Sequence, residues 1–246
     1  MWDRPDLLNG VAKALYAAAA VLALYGAGLA VIQLPLFPLR EVRVVQPAPH
    51  VTAEQVAAIV ERNLRGNFFT FDLAGLRGAF ERLPWVRRVQ VRRHWPDRLD
   101  VALEEHVPLA RWGNTALVNV QGEVFEGEHS GKLPVFNGPA GSSKEIAIQY
   151  LHFRRSLAAI GDAPAQVRIS PRRAWQVKLE SGMTLELGRE QVEARLARFV
   201  AAYERTVGQL GRRIDYVDLR YPNGFAVRIP ELRYEKPVSR RGQRTG

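Results

Sequence analysis

Five histidines, 25 carboxylates and 35 basic side chains are the groups with which this chain could do chemistry, and it has no cysteine. His50, His94, His106, His129 and His152 stand far apart and show none of the spacings that bring imidazoles onto one metal ion. The lack of Cys excludes thiolate nucleophiles, thiolate metal sites and disulfides. No Gly-rich phosphate loop, nucleophile elbow or Ser/His/Asp arrangement stands out. Glu104-Glu105-His106 comes nearest to an acid-base cluster, but it ends an alternating strand pattern, where a structural role is expected. The expectation is a protein that is not an enzyme, with no cofactor, no metal and no small-molecule substrate. Arg87-Arg88, Arg92-Arg93, Arg240-Arg241 and a net charge of +10 would suit a polyanion such as nucleic acid. The membrane segment described next argues against nucleic acid.

That segment is one uncharged run of 19 residues, Ala14 to Ile32, free of Pro. As a helix it spans roughly 28 Å at 1.5 Å per residue, close to the roughly 30 Å hydrocarbon core of a bilayer. Gly28-Leu29-Ala30 has the form of a signal-peptide cleavage site, yet the run continues past it and the preceding residues are barely basic. An uncleaved anchor is therefore expected, with residues 1–13 as a short head and 14–34 as a transmembrane helix. Arg4 and Lys13 on one flank face Arg40 and Arg43 on the other, so local charge leaves the orientation open. Residues 39–246 hold 33 basic and 23 acidic side chains and thus the whole net charge. Most of these are interspersed and read as a solvated surface. A basic domain could also meet acidic proteins or anionic headgroups.

After the anchor, Pro35 and Pro38 stop the helix. Glu41-Val42-Arg43-Val44 alternates as a strand, and Thr52 with Gln55 has capping-box spacing ahead of a helix carrying Val56, Ile59, Val60 and Leu64. Gly66 is placed to end that helix. Asp72 can cap a second one, which bears Leu73, Leu76, Phe80 and Leu83. Two strands through Val89-Val91 and Leu99-Val101-Leu103 flank a turn at His94-Trp95-Pro96-Asp97. This strand-helix-helix-strand-strand order is that of a POTRA module, placed at 39–107. From 108 to 231 short strands dominate. A helix follows a possible Ser142/Glu145 capping box, a hairpin turns at Ser181-Gly182, and a long amphipathic helix is predicted over about 190–207. The last two strands meet around Pro222-Asn223-Gly224. The tail 232–246 has no apolar period and reads as a disordered basic segment.

Gly66-Asn67-Phe68-Phe69, Leu83-Pro84-Trp85-Val86 and Arg93-His94-Trp95-Pro96-Asp97 resemble the POTRA domain of the FtsQ/DivIB cell-division proteins. Pro108-Leu109-Ala110-Arg111-Trp112 is similar to the junction that follows. Arg172-Arg173-Ala174-Trp175, Leu187-Gly188-Arg189, Arg195 to Phe199 and Val217 to Gly224 are similar to that family's second, β-rich domain. Taken together, the chain resembles the Gram-negative form of the family. The fold class implied is α+β: one N-terminal transmembrane helix, a POTRA domain, then a β-rich α+β domain with a C-terminal edge strand. The resemblance also implies a bitopic inner-membrane scaffold of the divisome, N-terminus cytoplasmic and domains periplasmic, enriched at the septum. Its implied partners are the coiled-coil membrane proteins FtsB and FtsL and other divisome proteins. The competing expectation is a POTRA-type polypeptide-binding or translocation factor. It would call for repeated POTRA units or barrel strands, which the sequence lacks.

Phe225 to Ile229 is the last predicted strand, and a terminal strand is often an edge to which a partner can add its own. The candidate partner-binding residues are Arg172, Arg220, Tyr221, Asn223, Gly224, Phe225 and Val227. Tyr221 and Phe225 would be aromatic anchors, Arg220 and Arg172 would take partner carboxylates, and Asn223-Gly224 would set the turn by positive φ. The plainer alternative is that the aromatics belong to the core, the arginines are solvated and Asn-Gly is only a turn. Phe68, Phe69, Trp85 and Trp95 are expected to be core or strand-capping residues. Glu190, Arg195 and Arg198 are expected to make surface pairs.

Overall fold

The computed structural model describes residues 5–33, 38–63 and 66–230. Leu64, residues 34–37 of the expected helix stop and the tail from residue 231 lie outside them. Helix α1 is Pro5–Gln33, so it starts well before the uncharged run. Its apolar stretch, Asn9–Val31, has a mean hydropathy of 1.9 over 23 residues. Leu15, Leu22, Leu24 and Tyr25 all stand exposed, so among the described residues this helix packs on no protein core. An all-round apolar helix of about 35 Å is what a bilayer solvates.

The chain divides into two compact units, Met1–His106 and Val107–Gly246. In the first, β1 (Glu41–Val44), β2 (Val86–His94) and β3 (Arg98–Glu105) form a sheet of order β1-β3-β2. Strand β1 runs parallel to β3, and β2 antiparallel to it. Helices α2 (Ala53–Asn63) and α3 (Leu73–Glu81) connect β1 to β2. The Thr52/Gln55 capping box forms in both directions, at 3.0 and 3.3 Å, and Asp72 caps α3 through the Gly75 amide at 3.0 Å. Phe71, Leu76, Phe80, Val89, Leu99, Val101 and Leu103 make the core. Strand alternation leaves Arg43, Arg92, Arg98 and Asp100 on the other face of the sheet.

The two ends of this unit differ. At one, the β2–β3 turn abuts the chain entering β1: the Arg40 and Glu41 amides donate to the Asp97 carbonyl at 2.9 and 3.4 Å. At the other, the His50 ring stacks on Trp85 with centroids 3.8 Å apart. There the His50 amide and ring Nδ1 both meet the Glu105 carboxylate, at 2.9 and 2.7 Å. Phe68 is buried as expected, but Trp95 is 72% exposed and Phe69 44% exposed, so neither is a core residue. Trp95 lies in the β2–β3 turn, where the described residues leave it largely uncovered.

The second unit is built on nine strands: β4 (Pro108–Trp112), β5 (Ala116–Asn119), β6 (Val124–Phe125), β7 (Val135–Asn137), β8 (Pro164–Ile169), β9 (Trp175–Leu179), β10 (Thr184–Gly188), β11 (Tyr216–Asp218) and β12 (Ala226–Arg228). Their order is β12-β11-β10-β9-β8-β7-β4-β5-β6. Helices α4 (Ser143–Leu157) and α5 (Val192–Tyr203) cover one face. Phe136, Val167, Val177, Leu185 and Val217 point to these helices and meet Phe153, Leu157, Leu196 and Phe199 in one core. Two local expectations are corrected. Ser142 makes no cap bond because its hydroxyl donates to the Pro139 carbonyl at 2.6 Å, and Glu145 instead pairs with Arg173 at 2.7 Å. Helix α5 is shorter than predicted because Gln191, which enters it at φ 52, supplies no side-chain cap; beyond Tyr203 the chain breaks into turns and a short 3-10 segment, Gly208–Leu210.

Candidate functional site

Among the described residues, strand β12 is an edge of the nine-stranded sheet, paired to β11 on its inner side. Its register sets Val227 opposite Val217 and Arg228 opposite Tyr216. Val227 is half-buried against the core, while Ala226 and Arg228 face outward. The Arg228 guanidinium carbon lies 5.2 Å from the Tyr216 ring centre. Burial, then the nearby Asp218 and Glu186 carboxylates, push the Tyr216 hydroxyl above its ordinary range.

Residues 219–225 form a long loop from β11 to β12 rather than a tight hairpin. Neither Asn223 nor Gly224 takes a positive φ, so the expectation that this pair sets the turn through left-handed backbone is corrected. Other contacts hold the loop. Phe225 sits edge-on to Phe199 of α5, with centroids 5.6 Å apart. Arg198 of α5 donates to the Pro222 carbonyl, and Arg195 to the Leu187 carbonyl at 2.7 Å. Arg198 is thus a loop anchor and Arg195 ties α5 to the end of β10, rather than the two making the surface pairs expected; Glu190 does pair, with its neighbour Arg189 at 3.2 Å. A cleft of about 450 Å³ opens between α5 and the loop, walled by Phe199, Ala202, Leu219 and Phe225. A shallower one of about 420 Å³ runs from Tyr221 to Ala226. Tyr221 is 54% exposed and Phe225 half-buried, so the two aromatics differ in role.

Arg220, expected to offer its fork to a partner carboxylate, already has an acidic neighbour within the chain. Its amide, Nε and Nη2 all donate to Asp218, with Nη2 at 2.6 Å and Nε at 2.9 Å. The guanidinium holds the Asp218 carboxyl below the usual carboxylate range, and the carboxylate raises Arg220 in turn. Arg220 lies against Gly188 at φ +72, where a Cβ would come within 3.2 Å of the Arg220 stem and 2.8 Å of Arg195 Nη1. Asp218 was missed in the sequence, although Asp218-Leu219-Arg220 puts two opposite charges on one strand face. Arg172 lies apart, exposed in the β8–β9 turn. Because β8, β10 and β11 run in one direction, that turn and the 219–225 loop share an end of the sheet. From β9 to β11 is two strand spacings, roughly 10 Å. The seven predicted residues therefore fall along one end and one edge of the sheet, with Asp218, Arg195, Arg198 and Phe199 as the supports that sequence reasoning did not include.

Two family models match the chain: "POTRA domain, FtsQ-type" over residues 37–106, and "Cell division protein FtsQ/DivIB, C-terminal" over 110–220. The chain belongs to the FtsQ cell-division protein family. It is 46% identical to Cell division protein FtsQ of Nitrosospira multiformis over 233 residues, covering 93% of this chain and 99% of that one. It is 47% identical to the FtsQ of Burkholderia pseudomallei over 242 residues, covering 95% and 96%. With the FtsQ of Neisseria gonorrhoeae it shares 33% identity over 244 residues, covering 96% and 100%. Family membership together with helix α1 makes this a single-pass membrane protein with a role in cell division. The first compact unit contains helix α1 and the POTRA domain, and the second is the C-terminal domain; the C-terminal family match stops at Arg220, early in the 219–225 loop and short of β12.

Proposed function

We propose that this protein is a non-catalytic scaffold of the divisome that binds FtsB and FtsL by strand addition at β12. Anchor (14–34), POTRA domain (39–107) and C-terminal domain (108–231) would each have one task, with the head in the cytoplasm, the domains in the periplasm and the whole enriched at the septum. The observation that carries the reading is the outer edge of β12, unpaired among the described residues, beside two clefts and an exposed Tyr221. An open edge offers unpaired N–H and C=O groups, so a partner segment gains main-chain bonds there and side-chain specificity from adjoining pockets. Tyr221 supplies an aromatic anchor, and Phe225, Asn223 and Gly224 form the wall between the clefts. Val227 ties the edge to the core. Arg172 takes an acidic partner side chain. Arg220 takes a share of one as well, since its side chain remains 56% exposed while Asp218 holds the other side of the fork.

The test is titration of the full chain in detergent with the periplasmic segment of its FtsB partner, followed by amide hydrogen exchange. Strand addition predicts protection of the amides across 226–228 on binding, and at least tenfold weaker binding for Tyr221→Ala, the loss of one interface anchor. Binding without protection at β12 would move the site elsewhere. No binding would remove the partner assignment.

A further inference from the structure

We propose that the tip of the β2–β3 hairpin rests on the bilayer surface, with the Trp95 indole in the lipid–water interface and the arginines around it on anionic headgroups. This is independent of the partner reading and needs only that α1 spans a membrane. Trp95 is 72% exposed at the end of a hairpin, and Phe69, 44% exposed, lies at the same end. Arg93 links them: its Nη2 donates to the Phe71 carbonyl at 2.9 Å and lies 3.4 Å from the Phe69 carbonyl. The domain's other tryptophan differs sharply, being stacked under His50 at the opposite end.

The exposed end is also the end nearest the membrane along the chain. The Arg40 and Glu41 amides hold the Asp97 carbonyl, so the hairpin tip sits at the start of β1. Only residues 34–40 separate α1 from β1, a reach of roughly 25 Å when fully extended. The linker length therefore keeps the tip within about 25 Å of the end of α1 and lets it reach the bilayer surface. Around Trp95 stand Arg40, Arg92, Arg93 and Arg98, against Glu41 and Asp97. Glu41 is taken by Arg98 at 2.9 Å, and Asp100 lies in register between Arg43 and Arg92. The tip therefore keeps a cationic excess.

An apolar ring with one N–H donor is best solvated at headgroup depth, which is why Trp concentrates there. Arginine can lay its stem on the interface and its guanidinium on phosphate. Anionic lipids attract such side chains only within about a Debye length, an approach the short linker permits. One indole and a few arginines would bind weakly as a free domain. Tethering makes the contact intramolecular, at an effective concentration in the mM range for a short linker, so weak affinity suffices. The consequence is orientation: a domain held by α1 and by its tip can tilt less than one held by α1 alone.

The chain has no native cysteine, so a nitroxide placed by Asp97→Cys reports on the tip alone. Ala53→Cys, at the start of α2 on the opposite end, is the control. The full-length protein is put in nanodiscs of phosphatidylcholine with phosphatidylglycerol, and collision with oxygen and with a water-soluble nickel chelate is measured. The expected result is several-fold less nickel access at 97 than at 53, lost in Trp95→Ser, retained in Trp95→Tyr and reduced in Arg92→Glu. Equal nickel access at 97 and 53 overturns the proposal. So does shielding that survives both Trp95→Ser and Arg92→Glu, or that arises only when partner segments are added, which would make the tip a protein contact. Both replaced side chains are exposed, and circular dichroism of each variant verifies the fold.

Discussion

Asp218 and Arg220 illustrate how a residue two positions away changes what an exposed arginine can do. Replacing Asp218 by Asn removes the charge that fixes the guanidinium and leaves Arg220 free to swing from the 219–225 loop. The expected cost is about 1 kcal/mol, the low end for a charge-assisted bond because Arg220 is largely solvated, read as a lower urea midpoint. The direction of the Asp218 shift gives a pH signature. Its folded-state value is depressed, so its stabilisation is complete above the ordinary carboxylate range and is lost as pH falls through the folded value. Urea midpoints of the parent and Asp218→Asn proteins should therefore converge on acidification below about pH 4. Phe225 is a second case. Phe225→Ala removes the edge-on contact with Phe199 and should destabilise by about 2 kcal/mol, less than for a fully buried Phe, by the same measurement. Tyr221→Ala should leave stability within about 0.5 kcal/mol, since surface substitutions seldom do more. The pair separates a fold residue from a binding residue.

At the level of elements, what was legible in the sequence was whatever is encoded over a few residues. The Thr52/Gln55 box, the Asp72 cap and the alternation Glu41 to Val44 need only near neighbours, and each formed as read. The Ser142/Glu145 box failed although its spacing was right, because the Pro139 carbonyl and Arg173 offered those two side chains other partners. Nothing local announces such competition. The edge position of β12 could be expected from its place late in the chain, but its supports came from α5, more than twenty residues earlier: Arg198 and Phe199 hold the loop. A structural role is the ordinary expectation for an aromatic such as Trp95; only the tertiary fold shows that the described elements leave it exposed. Glu105 tests the other end of the POTRA domain. It binds both the amide and the ring of His50, so Glu105→Gln should loosen the segment before α2, seen as faster amide exchange at 45–52.

For the molecule as a whole, the anchor decides location. Leu22→Arg puts a charge into the middle of a helix whose apolar side chains have no protein to pack on. At the centre of a span this costs about 3 kcal/mol on insertion scales, so alkaline extraction should release a clear share of the variant from membranes while the parent stays. The parallel pairing of β1 with β3 adds a constraint of another kind, one of timing. Glu41 emerges directly after the anchor, yet its partner Arg98 is made roughly 60 residues later. At synthesis rates of about 5–20 residues per second the first strand waits several seconds for its template. During that wait the half-made chain is already threaded into the bilayer and crowded by other nascent segments. Four residues that alternate Glu, Val, Arg, Val are a poor nucleus for pairing with strangers, and their brevity keeps a newborn, unfinished domain from being captured before its own third strand arrives.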